Sequence, residues 1–147
     1  MERHLIATKV LLVDDDDEFV QLLAHRLETR GMKPVAVTCG EEAVALVEKQ
    51  RFDVAVVDLS MPGINGIETL KQIKARRPAL EVLMLTGHAT VTGGIEAMKQ
   101  GASDFLQKPV EMDELLKKIR AARASRLTVL HRKTDAEMQE ILKRKSW

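Results

Sequence analysis

The stretch "KVLLVDDDDEFVQLLAHRLETRG", residues 9–31, decides the fold. Its opening five residues form a short run rich in Val and Leu, the composition of a strand covered on both faces. The run ends on four consecutive aspartates and a glutamate. Beyond them Phe19, Leu22, Leu23 and Leu27 recur at helical spacing, and Gly31 supplies a stop. Asp16 and Asp17 fit an N-cap and a first-turn acid, where negative charge favours the helix dipole. Asp14 and Asp15 are left at the carboxyl end of a strand, where like charges repel unless a cation neutralises them.

The same strand-then-helix order repeats along the chain. "KPVAV" (33–37), "DVAVV" (53–57), "EVLML" (81–85) and "SDFLQ" (103–107) are the further strands. Ala43, Val44 and Val47, then Ile67, Leu70 and Ile73, mark two more helices. A helix over about 91–99 and another from Met112 complete a (βα)5 alternation. Short parallel strands joined by helical crossovers imply an α/β fold, a doubly wound parallel sheet with helices on both faces.

Composition agrees with a single domain. The chain has 147 residues, 45% hydrophobic and 31% charged, which suits a globular protein and excludes collagen-like and disordered classes. No apolar run approaches the ~18 residues of a membrane span, and "MERHLIATKV" lacks the features of a signal peptide, so a cytoplasmic protein is expected. The single cysteine, Cys39, has no partner for an internal disulfide and reads as a loop or core thiol. Residues 1–119 carry 15 Lys/Arg against 19 Asp/Glu, whereas residues 120–147 carry 8 against 3. The basic charges of that tail are spread among Leu, Met and Ile, as on a solvated helix face, and direct nucleic-acid contact is not expected. His4, His25 and His131 have no neighbours at metal or triad spacing and read as surface residues.

Ligands of open α/β sheets sit outside the carboxyl ends of the strands. Asp14 and Asp15, Asp58, Thr86 and Lys108 follow or close four different strands there. Clustered carboxylates without His or Cys suit a hard divalent ion, and Mg²⁺ leaves room for a phosphate oxygen. Asp58, followed by the turn-rich "LSMPGINGIE", is the candidate nucleophile, because an aspartate can take a phosphoryl group as an acyl phosphate. Lys108 and Thr86 would position that group and neutralise its charge.

These residues resemble the receiver domains of two-component response regulators, the family of the bacterial chemotaxis regulator. "LLVDDD", "DVAVVDLSMPGINGIE", "MLTGHA" and "GASDFLQKPV" occur in the family's order and spacing, over about residues 9–122. The resemblance implies a flavodoxin-like, CheY-like sheet with strand order 2-1-3-4-5. It implies a phosphoacceptor at Asp58 and Mg²⁺ held by Asp14, Asp15, Asp58 and the backbone carbonyl of Ser60, with Asp15 the direct ligand of the acidic pair. Thr86 matches the switch hydroxyl, Phe105 the switch aromatic and Lys108 the phosphate-binding lysine; the family's cis peptide would be Lys108–Pro109. A histidine kinase or phosphotransfer protein would donate the phosphoryl group, and a downstream target protein would read the switched face. The chain is then a signalling phosphoacceptor rather than an enzyme, assisting its own phosphorylation and dephosphorylation.

Three features stand outside that pattern. The side chains of Ser60 and His88 fall on positions that vary in the family and flank the path of water to the acyl phosphate, so they are candidates for tuning signal lifetime. Gly93 and Gly94 weaken the start of the fourth helix, each costing about 1 kcal/mol relative to Ala. Apolar residues continue past the receiver (1–124) through Leu127, Leu130, Met138 and Ile141, and Thr134 with Glu137 resembles a capping box. Residues 125–147 therefore read as a helical extension whose apolar face needs its own receiver, a second copy in a homodimer, or an output domain. The expectation is a stand-alone regulator. The alternative is the receiver portion of a larger DNA-binding transcription regulator.

Overall fold

The computed structural model describes residues 7–61, 65–87, 91–125 and 138. The elements alternate from β1 (Lys9–Val13) and α1 (Asp17–Glu28) through β2 (Lys33–Val37), α2 (Gly40–Lys49), β3 (Val54–Asp58), α3 (Gly66–Arg76), β4 (Glu81–Thr86), α4 (Val91–Lys99) and β5 (Asp104–Gln107). A fifth helix, α5, covers 112–125 of the described residues. The five strands are all parallel, in the order β2-β1-β3-β4-β5. Pro34 lies in β2, an edge strand, where a missing N–H is tolerated.

Strand alternation divides the core into two layers. Leu11, Val13, Ala55, Val57, Val82 and Met84 face α2, α3 and α4, which contribute Ala43, Val47, Leu70, Ile73 and Ala97. Val10, Leu12, Val54, Val56, Leu83 and Leu85 face α1 and α5, through Leu23, Leu27, Leu115 and Ile119. Every strand between the edges is buried on both sides, which is why its sequence reads as a continuous apolar run.

Two helices end alike. Gly31 and Gly101 take φ of +84° and +104°, and the next residue closes the turn: the Met32 N–H donates to the Leu27 carbonyl at 3.1 Å, and Ala102 to Ala97 at 3.0 Å. A Cβ at either glycine would be strained in this left-handed conformation. The inward stripe of α1 is Val20, Leu23 and Leu27, whereas Leu22 is 52% exposed. Leu22 belongs to the helical pattern but lies one helical step to the side of the stripe, where it lines an apolar groove with Phe19, Val110 and Met112.

Candidate functional site

The order of strands reverses between β1 and β3, and the carboxyl ends of those strands are where open α/β sheets hold their ligands. Val13 pairs with Val57, so Asp14 and Asp58, one residue further along each strand, stand side by side. Asp14 is 1% exposed and Asp58 4%, while Asp15 faces solvent. One carboxylate oxygen from each of the three lies within 4.8 Å of the others.

Lys108 enters from the end of β5. Its backbone N–H donates to the Thr86 carbonyl at 2.7 Å, which carries the β4–β5 pairing one step past Thr86 and Gln107. Its ammonium reaches Asp14 Oδ2 at 2.7 Å and lies 3.8 Å from Asp58 Oδ1. The peptide bond from Lys108 to Pro109 is cis. Thr86 is buried at the end of β4.

On the other side, the Leu59 N–H donates to the Leu85 carbonyl at 2.8 Å, and the Gly66 N–H returns to the Leu59 carbonyl at 3.1 Å. The start of α3 thus lies directly on the exit of β3. A Cβ on Gly66 would stand 2.6 Å from Leu59 Cα and 2.7 Å from Leu59 O, and would also overlap the Asp58 carbonyl. Asn65 caps the helix, its side chain accepting from the Glu68 N–H at 2.9 Å.

The Asp58 carboxyl is raised from its ordinary 3.8 to about 6, first by burial. The Asp14 charge is the second contributor to that rise and Asp15 a smaller one, while Lys108 and a backbone hydrogen bond from Ser60 oppose it. Three acids against one nearby ammonium leave an excess of negative charge with oxygen donors alone. That donor set fits a hard cation such as Mg²⁺.

The expected residues divide into three groups. Asp14, Asp15, Asp58 and Lys108 converge, Thr86 ends the adjoining strand, and Ser60 is an exposed residue whose backbone reaches Asp58. Phe105 stands apart on β5, 44% exposed. A Cβ on Gly94 of α4 would lie 3.6 Å from its ring. His88 lies outside the described residues, as do the capping box at Thr134 and most of the extension. Two residues of the site were not singled out by the sequence. Gly66 had a signal, a glycine beside an Asn cap in the loop after Asp58. Phe19, which lies under the Lys108 ammonium at 4.4 Å from ring centroid to nitrogen, had none, since its spacing only marks a helix face.

Compared with known proteins, residues 10–120 match the sequence model of the response regulator receiver domain. The chain belongs to that family. This receiver is 38% identical over 127 residues to the C4-dicarboxylate transport transcriptional regulatory protein DctD of Pseudomonas aeruginosa, covering 86% of the chain and 28% of the relative. It is 39% identical over 106 residues to the transcriptional regulatory protein ZraR of Escherichia coli, covering 72% of the chain and 24% of the relative. The chain thus spans about a quarter of the length of these curated relatives. Among solved structures, the receiver domain of the Francisella response regulator 1452 superposes with a TM-score of 0.74 at 31% identity, over 80% of this chain and 97% of that one. The beryllofluoride-activated NtrC4 receiver domain dimer superposes with 0.76 at 32% identity, over 80% and 98%.

Proposed function

We propose that this receiver accepts a phosphoryl group on Asp58 and uses it to switch a protein-binding face. The observation that carries the reading is the cluster itself: a buried Asp58 with Asp14 and Asp15 within 4.8 Å and the Lys108 ammonium at 3.8 Å. An Asp58 oxygen attacks the phosphorus of a phosphohistidine on a kinase or phosphotransfer protein. The P–O bond forms as the P–N bond breaks, and the departing imidazole keeps the electron pair and takes a proton from solvent. Asp14, Asp15, Asp58 and the Ser60 carbonyl would hold Mg²⁺, which when bound neutralises the acids and the phosphoryl oxygens. Lys108 supplies the fixed positive charge on the other flank, and the Thr86 hydroxyl donates to a phosphoryl oxygen. Slow hydrolysis returns the carboxylate and releases phosphate, so the chain is a timed signal rather than a turnover enzyme.

Movement of Thr86 toward the phosphoryl group would repack Phe105 and change the α4–β5 surface, where Ile95, Met98 and Phe105 are exposed. A downstream protein or a second copy of the chain would read that face. Among the described residues no helix is long and apolar enough to cross a membrane, in keeping with a cytoplasmic regulator. We assign the receiver to residues 1–124 and a helical extension to 125–147; Met138 is helical and exposed.

The relatives favour a second reading at the whole-protein level, the receiver portion of a longer transcription regulator, since the first matches are proteins of which this chain covers only 24–28%. Sequencing the gene past the Trp147 codon decides between the two, and both use the same site.

The test is intact mass after incubation with a small-molecule acyl phosphate and Mg²⁺. One added phosphoryl group is expected, lost in Asp58→Asn and in the presence of a chelator. An adduct that persists in Asp58→Asn would move the acceptor elsewhere, and no adduct with Mg²⁺ bound would leave a receiver that signals by binding alone.

A further inference from the structure

Lys108 is held in a closed circuit of contacts. Its ammonium donates to Asp14 Oδ2 at 2.7 Å, and the other oxygen of that carboxylate, Oδ1, accepts from the Asp16 N–H at 2.9 Å. Asp16 Oδ1 accepts in turn from the Phe19 N–H at 3.1 Å, the capping bond that starts α1. The Phe19 ring completes the circuit beneath the lysine, 4.4 Å from its nitrogen. The ring is itself secured, packing against the α1–α5 core layer and lining an apolar groove with Leu22, Val110 and Met112.

We infer that Phe19 is the positioning residue for Lys108, its ring face holding the ammonium between Asp14 and Asp58 where a phosphoryl oxygen is to be met. The inference rests on the reading of Lys108 as the phosphate-binding cation. A lysine carries a point charge on a flexible four-carbon stem, and a single hydrogen bond, to Asp14, with Asp58 at 3.8 Å, leaves it free to swing about that bond. An aromatic face on a second side removes the swing, because the ring quadrupole attracts the cation without hydrogen-bonding it away from an incoming oxygen. The same hold has an opposite effect on cations. Lys108 partly neutralises Asp14 and Asp58, so a divalent ion must compete with it for those acids. Loosening the lysine should therefore favour the ion and disfavour phosphoryl capture.

The experiment compares Phe19→Leu, which keeps the apolar bulk, with Phe19→Tyr, which keeps the ring. In metal-free protein, the Lys108 side-chain methylene protons should show an upfield ring-current shift in the parent and in Phe19→Tyr that is lost in Phe19→Leu. Titrated with Mg²⁺ alone, Phe19→Leu should bind about three-fold more tightly than the parent. At saturating Mg²⁺ it should take phosphoryl groups from a small-molecule acyl phosphate about five-fold more slowly, with Phe19→Tyr within about two-fold of the parent. Opposite signs in the two assays distinguish positioning from damage to the fold, which would weaken both together. Equal uptake by Phe19→Leu and the parent would overturn the inference, as would losses of equal size in Phe19→Tyr and Phe19→Leu. If the parent itself takes up no phosphoryl group, the functional reading fails, while the proton shifts and the Mg²⁺ titration still report whether the ring holds the lysine.

Discussion

At the scale of single residues, four adjacent aspartates do four different things. Asp14 is buried against Lys108, Asp15 faces solvent beside it, Asp16 caps α1 and Asp17 adds charge to its first turn. The capping role of Asp16 and Asp17 was legible in the sequence because caps are local. The closer contact of Lys108 with Asp14 than with Asp58 was not, because it depends on how two distant strand ends meet. Asp58 carries a testable cost. Its carboxyl is raised from 3.8 to about 6, first by burial. Between those values the unfolded chain has already lost the proton that the folded protein retains, so this group's contribution to stability falls as pH rises from about 4 to 6 and stays low above that range. Asp58→Asn removes the titration. In metal-free protein it should be more stable than the parent by about 1–2 kcal/mol at pH 7, with the gap closing toward pH 4. Urea unfolding at the two pH values checks this, and a gap that is constant or widens on acidification would contradict it.

At the scale of elements, the bounds expected from the sequence agree with the observed ones to within a residue at all five strands and at α4. Alternation of apolar runs and capped amphipathic stretches is a local property, and it survives folding unchanged. The rotation of each helix about its axis does not. Leu22 belongs to the helical pattern yet lies outside the core, because Val20, Leu23 and Leu27 form the stripe that meets the sheet. Gly66 is a second case, its role set by how closely α3 approaches the end of β3. Gly66→Ala would press a methyl group onto the Asp58 and Leu59 backbone. We expect a loss of about 2–3 kcal/mol, of the size that overpacking causes, together with weaker Mg²⁺ binding, since the displaced segment carries Asp58 and Ser60. Chemical unfolding of the purified variant measures the first, and a loss below about 0.5 kcal/mol would mean that α3 can back away at little cost.

Across the whole molecule, anchoring is uneven. The central strands are buried on both faces and α1 sends three residues into the core, whereas among the described side chains of α4 Ile95 and Met98 are exposed and Ala97 is the one hydrophobic member of the core. With Gly93 and Gly94 in its first turns, α4 should open more readily than the other helices. Hydrogen exchange should therefore be faster for the amides of residues 89–96 than for α1, α2 and α3; protection equal to theirs would remove the weak element on which the proposed switch depends. The amino-acid sequence by itself determined the order of strands and helices and which chemical groups end each strand, because hydrophobic period, caps and turn residues act over a few neighbours. The tertiary structure alone decided that Asp14 stands beside Asp58 through the Val13–Val57 register, that Lys108 pairs first with Asp14, and that Phe19 lies beneath it. Those contacts join residues far apart in the chain, and strand register and helix rotation are fixed only when the whole sheet and both its layers pack together.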